Sequence, residues 1–318
     1  MRQRAGDDKS HFGRVGVFLG GRSRERPISI RSGQAVYQAL KHAGVDAVTI
    51  DTANGFRAQL NQRPIDLAFI ALHGKGGEDG TIQKWLKRNQ IPFTGSEARA
   101  SASAFDKIKA KRLFVRAGIP TPRYQVITRK NWRKAAAKWK PPYVVKPIEE
   151  GSSIGIFFVE RLSRDVMKKI NLGLNYYGKL FLEEKIEGRE FTVGILGEAA
   201  LPVVELRPKR AFYDYKAKYT KGLTDYLVPA PIPKRLSQQL QSMAVRVHRT
   251  LGLRDFSRVD FKTDSKHRPY VLEVNSIPGF TDTSLLPKAA RLAGYEFRDL
   301  CLALLHMAQH RKGNCCHG

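Results

Sequence analysis

The sequence predicts an α/β protein built from two or three units, and three observations predict it. Short apolar strands alternate with glycine loops and helical stretches over the first hundred residues. A Gly-Ser loop lies between two strands near residue 150, and two segments near the C-terminus alternate apolar and polar residues with period two. At 318 residues the chain can bury more than one core. Val15-Gly16-Val17-Phe18-Leu19 is an apolar strand that breaks at Gly20-Gly21. A polar loop follows, then an amphipathic helix over 32–42 with Ala35, Val36, Ala39, Leu40 and Ala43 on one side. Residues 46–50 and 66–72 read as strands, the second running into His73-Gly74-Lys75-Gly76-Gly77-Glu78-Asp79-Gly80, too rich in glycine for a helix. Such an order suits an open parallel layer, whose ligands sit beyond the carboxyl ends of the strands, where both glycine loops lie.

Residues 107–117 and 131–140 read as basic helices flanking a proline-bounded strand. Strands follow at 143–146 and 154–160, with Gly151, Ser152 and Ser153 between them offering backbone N–H groups to an anion. No Gly-Lys-Ser/Thr is present there, which disfavours a Walker-type NTPase. Residues 180–196 hold two strands joined at Glu187-Gly188-Arg189. The polar segment 207–229, with four tyrosines, is long for a plain connection and reads as a lid. Helices are expected at 237–251 and 297–309, a turn at Pro278-Gly279, and disorder over 1–13 and 310–318.

The chemistry concentrates in Ser257-Arg258-Val259-Asp260 and Val271-Leu272-Glu273-Val274-Asn275-Ser276. Side chains two apart on a strand share a face, so Arg258 goes with Asp260 and Glu273 with Asn275. The short polar turn Asp264-Ser265-Lys266-His267-Arg268 suits an antiparallel hairpin. With the polar faces in register, two carboxylates and an amide oxygen converge, a donor set Mg²⁺ accepts when phosphates and water complete its shell. A one-residue slip would scatter the cluster, leaving an ordinary solvated strand face.

A formal net charge of +27 admits nucleic-acid binding through phosphate neutralisation, and residues 107–146 hold thirteen Lys or Arg and no acid. No zinc-finger, helix-turn-helix or RNA-recognition signature accompanies the charge, so no specific nucleic acid is expected. There is no apolar run of membrane-spanning length and no signal-peptide pattern, and Cys301, Cys315 and Cys316 form no disulfide or zinc framework. A cytoplasmic setting without membrane contact is the expectation.

Eight motifs in one order resemble those of the D-alanine–D-alanine ligases, an ATP-grasp family. They begin with Gly20-Gly21-x-Ser23-x-Glu25, the loop from His73 to Gly80, and Asp106-Lys107. Lys146-Pro147 with Glu150-Gly-Ser-Ser-x-Gly155 follows, then Glu187-Gly-Arg-Glu-Phe-Thr192 and Phe212-Tyr-Asp-Tyr-x-Ala-Lys-Tyr219. Arg258-x-Asp260 and Glu273-x-Asn275-x-x-Pro-Gly279, before Thr283-Ser284-Leu285, complete the set. The resemblance implies an ATP-grasp fold, with a substrate-binding α/β domain over 14–100, a small central α+β domain over 101–183 and a C-terminal α+β domain over 184–309. It implies ATP-driven joining of two D-alanine molecules through an acyl phosphate for peptidoglycan precursors, with two Mg²⁺ (or Mn²⁺) ions and a homodimeric state. Lys107, Lys146, Glu150 and Ser153 would face the phosphates, Glu183 and Ile186 the adenine, Glu190 the ribose, and Asp260, Glu273 and Asn275 the metal. Arg258 and the Gly279 N–H would stabilise the oxyanion, while Glu25, Ser152 and Tyr219 would bind the first D-alanine and lock the lid. His73, Lys218, Ser284 and Leu285 would meet substrate, the last three at the second D-alanine's carboxylate. Two departures stand out: Lys185 where an aromatic or apolar residue is usual, leaving adenine stacking unaccounted for, and Lys216 where an acid is common. Related acceptors, D-serine or a hydroxy acid, and a retired nucleic-acid-binding relative are the competing functions, the latter disfavoured by the intact metal cluster.

Overall fold

A computed structural model describes residues 12–209 and 222–313. Strand β1 (Val15–Leu19), helix α1 (Arg26–His42), β2 (Ala47–Asp51), α2 (Phe56–Gln62), β3 (Leu67–Ile70) and α3 (Thr81–Arg88) form the first unit. Its sheet is parallel in the order β2-β1-β3, and β1 and β3 are wholly buried, which explains their continuous apolar runs. Helix α1 begins six residues before the expected start at 32. Pro27 sits in the first turn, where its missing N–H costs nothing, and Ser29 and Ser32 point inward as buried hydrogen-bonding groups. Reading the residues before Ser32, Ser29 among them, as a polar loop hid the first turns.

After α4 (Ala98–Phe105) and α5 (Lys107–Arg116), the chain forms β4 (Tyr124–Thr128), α6 (Trp132–Lys138), β5 (Tyr143–Pro147), β6 (Phe157–Val159), α7 (Arg164–Tyr177) and β7 (Lys179–Glu184). These four strands make an antiparallel sheet in the order β4-β7-β5-β6, with α6 and α7 closing its core around Ile127, Tyr143 and Leu174. Strand β6 is shorter than the expected 154–160. Helices α4 and α5 pack elsewhere: Ala104, Ala110 and Phe114 share a core with Phe191, Val193 and Leu240 of the next unit.

That unit holds β8 (Glu190–Leu196), β9 (Ala199–Ala200), β10 (Val204–Pro208), β11 (Thr224–Leu227), α8 (Lys234–Thr250), β12 (Phe256–Thr263), β13 (Pro269–Asn275), α9 (Leu285–Leu292) and α10 (Phe297–Gly313). Its sheet runs β11-β10-β8-β12-β13, with β9 paired to β8. The crossing between the two antiparallel sheets is short, because β7 and β8 belong to different sheets. In that crossing Gly188 lies against the Thr263 carbonyl, where any Cβ would sit 2.0 Å from the oxygen at a φ of +152°. The ends of the expected lid segment are paired strands: β10 and β11 join Glu205 to Leu227 and Pro208 to Thr224. Residues 210–221, with Tyr219, Lys218 and Lys216, lie outside the described residues, as do 1–11 and 314–318.

Helix α10 runs to Gly313 where disorder was expected from 310, because Arg311 is anchored by the buried Asp255 carboxylate and the Phe93 carbonyl. Phe12, in the segment expected to be disordered, is buried against the His306 ring. Phe280, 1% exposed, packs its ring against Phe69, Phe256 and Phe297, joining the first sheet to the last. Truncating it leaves a cavity among three aromatic rings. Phe280→Ala should therefore cost about 3–5 kcal/mol of unfolding free energy in denaturant titrations, and a loss under about 1 kcal/mol would contradict this packing account.

Candidate functional site

The hairpin adopts the register that unites its polar faces: Asp260 pairs with Glu273 and Arg258 with Asn275, with a bulge after Asp260. Arg258 grips Asp260 through two hydrogen bonds of 2.9 Å. Thr192 Oγ1 donates to Asp260 Oδ1 at 2.6 Å, and Asn275 Nδ2 donates to Asp260 Oδ2 at 3.1 Å. Glu273 Oε2 lies 3.3 Å from the Lys107 ammonium. Among the described residues no three His, Cys, Asp or Glu side chains cluster for a metal. The cluster here is two acids and an amide, hard oxygen donors already matched by cationic side chains, and this fits Mg²⁺.

Lys107 reaches the hairpin from the first turn of α5. Asp106 caps that helix, accepting from Ile108 N (3.0 Å) and Lys109 N (2.9 Å), which fixes where Lys107 points. The Lys107 ammonium also donates to the Glu150 carbonyl at 2.6 Å. Burial pushes the Glu150 carboxyl up, with Arg24 opposing. One helical turn on, Lys111 is buried with its Nζ 2.7 Å from Glu183 Oε1, while Lys146 Nζ meets Glu183 Oε2. Burial alone would raise Glu183, but the two ammoniums outweigh it and hold the carboxyl below its usual range. Glu183, expected to face adenine, lines the cleft between the two antiparallel sheets, with its oxygens close to two lysines.

Between the two antiparallel sheets opens a cleft of about 690 Å³. Lys146, Ser153, Glu183, Ile186, Glu190, Asp260 and Glu273 line it, so the phosphate, base, ribose and metal candidates share one space. Val144, Ile156, Phe158 and Leu272 form its apolar walls. The aromatic surface that Lys185 does not supply thus comes from Phe158, with the Lys185 ammonium 5.9 Å above its ring and 2.7 Å from Glu160. Phe158, Leu272, Lys262, Lys111 and Thr192 were absent from the sequence-based candidates. Phe158 and Leu272 could have been found from the alternation of their strands, whereas Lys111 reads as one more solvated lysine.

A second focus lies where the first unit meets the Gly-Ser loop. The Ser152 hydroxyl donates to Glu25 Oε1, and both Ser152 and Ser153 hold positive φ (51° and 61°), a conformation costly for residues with a Cβ. Gly151 lies close beside them, so that a Cβ there would displace the Glu25 carboxylate, 2.5 Å from its Oε2. Ser23 Oγ donates to the His73 carbonyl at 2.7 Å, pinning the two glycine loops together. His73 itself is buried, and its ring is committed. Nδ1 donates to the Ile277 carbonyl (3.1 Å) and Nε2 accepts from Ser32 Oγ (3.0 Å), the one tautomer that satisfies both. Its reach toward substrate is therefore through the loops it fixes. Ser284 Oγ accepts from Thr281 N at 3.0 Å, and Gly279 lies beside it. Leu285 opens α9, so a helix N-terminus faces this corner.

Fold and cleft define an ATP-grasp enzyme, with a cleft between two antiparallel sheets and a parallel α/β unit alongside. Family profiles described as D-ala D-ala ligase C-terminus and D-ala D-ala ligase N-terminus match residues 113–306 and 50–96. A D-alanine–D-alanine ligase of Pelotomaculum thermopropionicum is 42% identical over 312 residues, covering 94% of this chain and 98% of that protein. The crystal structure of D-alanine–D-alanine ligase from Bacillus anthracis superposes with a TM-score of 0.84 at 30% identity, covering 95% of this chain and 99% of that one. Its ATP complex gives 0.82 at 28% identity, with the same coverage. The chain belongs to the D-alanine–D-alanine ligase family.

Three buried groups make stability depend on pH. Burial lowers His73 and His248 from 6.5 to about 4, and raises Glu78, helped by the charge of Glu25, from 4.5 to about 8. Between 6.5 and about 4 the unfolded histidines bind protons the folded ones refuse, so their contribution is full above pH 6.5 and lost as pH falls. Glu78 behaves oppositely: its contribution is full below 4.5 and lost as pH rises through about 8. Two terms outweigh one below pH 6.5 and Glu78 acts alone above it, so unfolding free energy should peak near pH 6.5. Glu78→Gln should flatten the alkaline decline. A profile rising steadily to about pH 8 in the parent would contradict this assignment.

Proposed function

We propose that this chain joins two D-alanine molecules at the expense of ATP, with the nucleotide in the cleft between the two antiparallel sheets. The observation that carries this reading is the convergence of Lys107 with the Asp260–Glu273 pair, while Lys146 lines the same cleft. Cations for a polyphosphate and hard anions for its counter-ions have few other uses together. In the reaction, the carboxylate of the first D-alanine takes the γ-phosphoryl group and ADP departs. The amine of the second then attacks the acyl carbon and inorganic phosphate leaves.

Each residue contributes a definite part. Lys107 and Lys146 offer point charges to the phosphates, and the N–H groups of Gly151, Ser152 and Ser153 cover them. Phe158, Leu272 and Ile186 enclose the base, with Glu190 placed for the ribose hydroxyls. Asp260, Glu273 and Asn275 hold Mg²⁺, which screens the triphosphate charge when bound. Glu25, fixed by Ser152, receives the ammonium of the first D-alanine. The second presents its carboxylate to the helix N-terminus at Ser284 and Leu285; by the family resemblance Lys218 serves that carboxylate and Tyr219 joins Glu25 and Ser152 in locking the lid. Arg258 and the Gly279 N–H supply positive potential where the tetrahedral oxyanion forms.

Phosphate release from ATP and Mg²⁺ should depend on D-alanine, with L-alanine, D-serine and D-lactate as poor replacements. Equal rates with all four would refute the acceptor assignment. Glu273→Gln should lower kcat at least about a hundredfold by removing one anionic ligand, with an unchanged melting profile. Near-parental turnover at saturating Mg²⁺ would sink the metal assignment.

A further inference from the structure

Lys111 is a costly residue to bury. Its side chain is 1% exposed, and an apolar residue would fill the same space without the cost of burying an ammonium. It is held from several sides. Nζ lies 2.7 Å from Glu183 Oε1, donates to Thr121 Oγ1 at 2.6 Å, and stands 5.6 Å from the centre of the Tyr124 ring. Thr121 in turn donates to the Val271 carbonyl at 2.8 Å, tying the arrangement to the metal hairpin.

On its other oxygen Glu183 holds Lys146, the lysine that lines the cleft. Two ammoniums thus share one carboxylate, and the trio carries one net positive charge. Its outlet is uneven, because the Lys146 side chain is 12% exposed and that of Lys111 is 1%. Were Lys111 neutral, Glu183 and Lys146 would form a closed neutral pair, and an arriving phosphate would have to compete with a buried carboxylate for the same ammonium.

We propose that Lys111 is a positioning residue for nucleotide binding: by taking half of Glu183, it leaves the Lys146 charge available to the phosphates. This rests on the nucleotide reading of the cleft given above. It adds to that reading a residue that is placed to touch neither substrate nor metal and whose nearest charged partner is Glu183.

The test is a double-mutant cycle read by calorimetric titration with a non-hydrolysable ATP analogue and Mg²⁺, alongside steady-state KM values and thermal melts. Lys111→Met should weaken analogue binding about tenfold and raise the KM for ATP in parallel, leaving the KM for D-alanine within about twofold. Adding Glu183→Gln should recover most of that loss, since a neutral amide cannot hold Lys146 as a carboxylate does and still offers an oxygen to the base. Thr121→Val, which removes the Lys111–Thr121 bond and the tether to Val271 but leaves the Lys111–Glu183 pair, should bind the analogue within about twofold of the parent. Parental affinity in Lys111→Met, a double variant no better than Lys111→Met, or a loss in Thr121→Val equal to that of Lys111→Met would each overturn the proposal. Should Lys111→Met fail to melt cooperatively, Glu183→Gln alone decides. It should bind the analogue at least as tightly as the parent, and a tenfold weakening would refute the shared-carboxylate account. If the parent itself binds no nucleotide, the functional reading fails and not this inference.

Discussion

A cleft meant for a polyanion and its metal ions must carry both signs of charge at close quarters, and it must fold before either ligand arrives. Each acid in this cleft that would meet a cation already has one: Asp260 has Arg258, Glu273 has Lys107, and Glu183 has Lys111 and Lys146. The pairing sets the architecture around it. Lys107 and Lys111 must come from one helix face, so α5 has to lie across the mouth of the cleft, and its other side accordingly packs on the large sheet. The desolvation of these charges is offset because each of the three carboxylates has a cationic side chain within ion-pair distance.

The same logic explains why the two glycine loops and the Gly-Ser loop meet. Glu25 sits at the end of a polar turn, close to Gly74 and Gly151, where neither neighbour could carry a side chain in its direction. Ser152 and Ser153 hold an unfavourable backbone conformation that the Glu25 hydrogen bond helps to stabilise. Closure of the small sheet over the first unit therefore depends on one carboxylate that also faces the proposed substrate corner. Arg24 adds a second contact across this boundary, donating to the Tyr176 hydroxyl at 2.5 Å from beside its ring.

Much of this was legible in the residues themselves. The β12–β13 hairpin could be read because β12 alternates strictly and the turn is short, whereas the bulge that lets both Val271 and Val274 turn inward leaves no mark in that alternation. The parallel strands were legible from their apolar runs. What stayed hidden involved polar residues turned inward. Ser29 disguised the start of α1, and Lys111 looked like any lysine on a basic helix. The commitment of His73 to Ser32 and Ile277 depends on loops far apart in sequence, and no local pattern reports it. The engagement of Glu183 by two lysines was invisible for the same reason, since one of them is seventy-two positions upstream. The C-terminal helix outran its expected end because Arg311 finds a buried partner at Asp255, again a tertiary fact.

That last helix has a consequence for how the protein is made. The core of the first unit, around Val15, Val36 and Phe69, is shared with Leu300, Leu304, Leu305 and Ala308 of α10. Phe12 rests on His306, and Arg311 reaches the Phe93 carbonyl. The first unit thus lacks one wall of its own core until α10, more than two hundred residues later in the chain, has been added. During synthesis its apolar sheet face must stay exposed while the two later units, whose own cores are assembled from nearer segments, are already able to form. For this architecture the order of translation and the order of completion run in opposite directions.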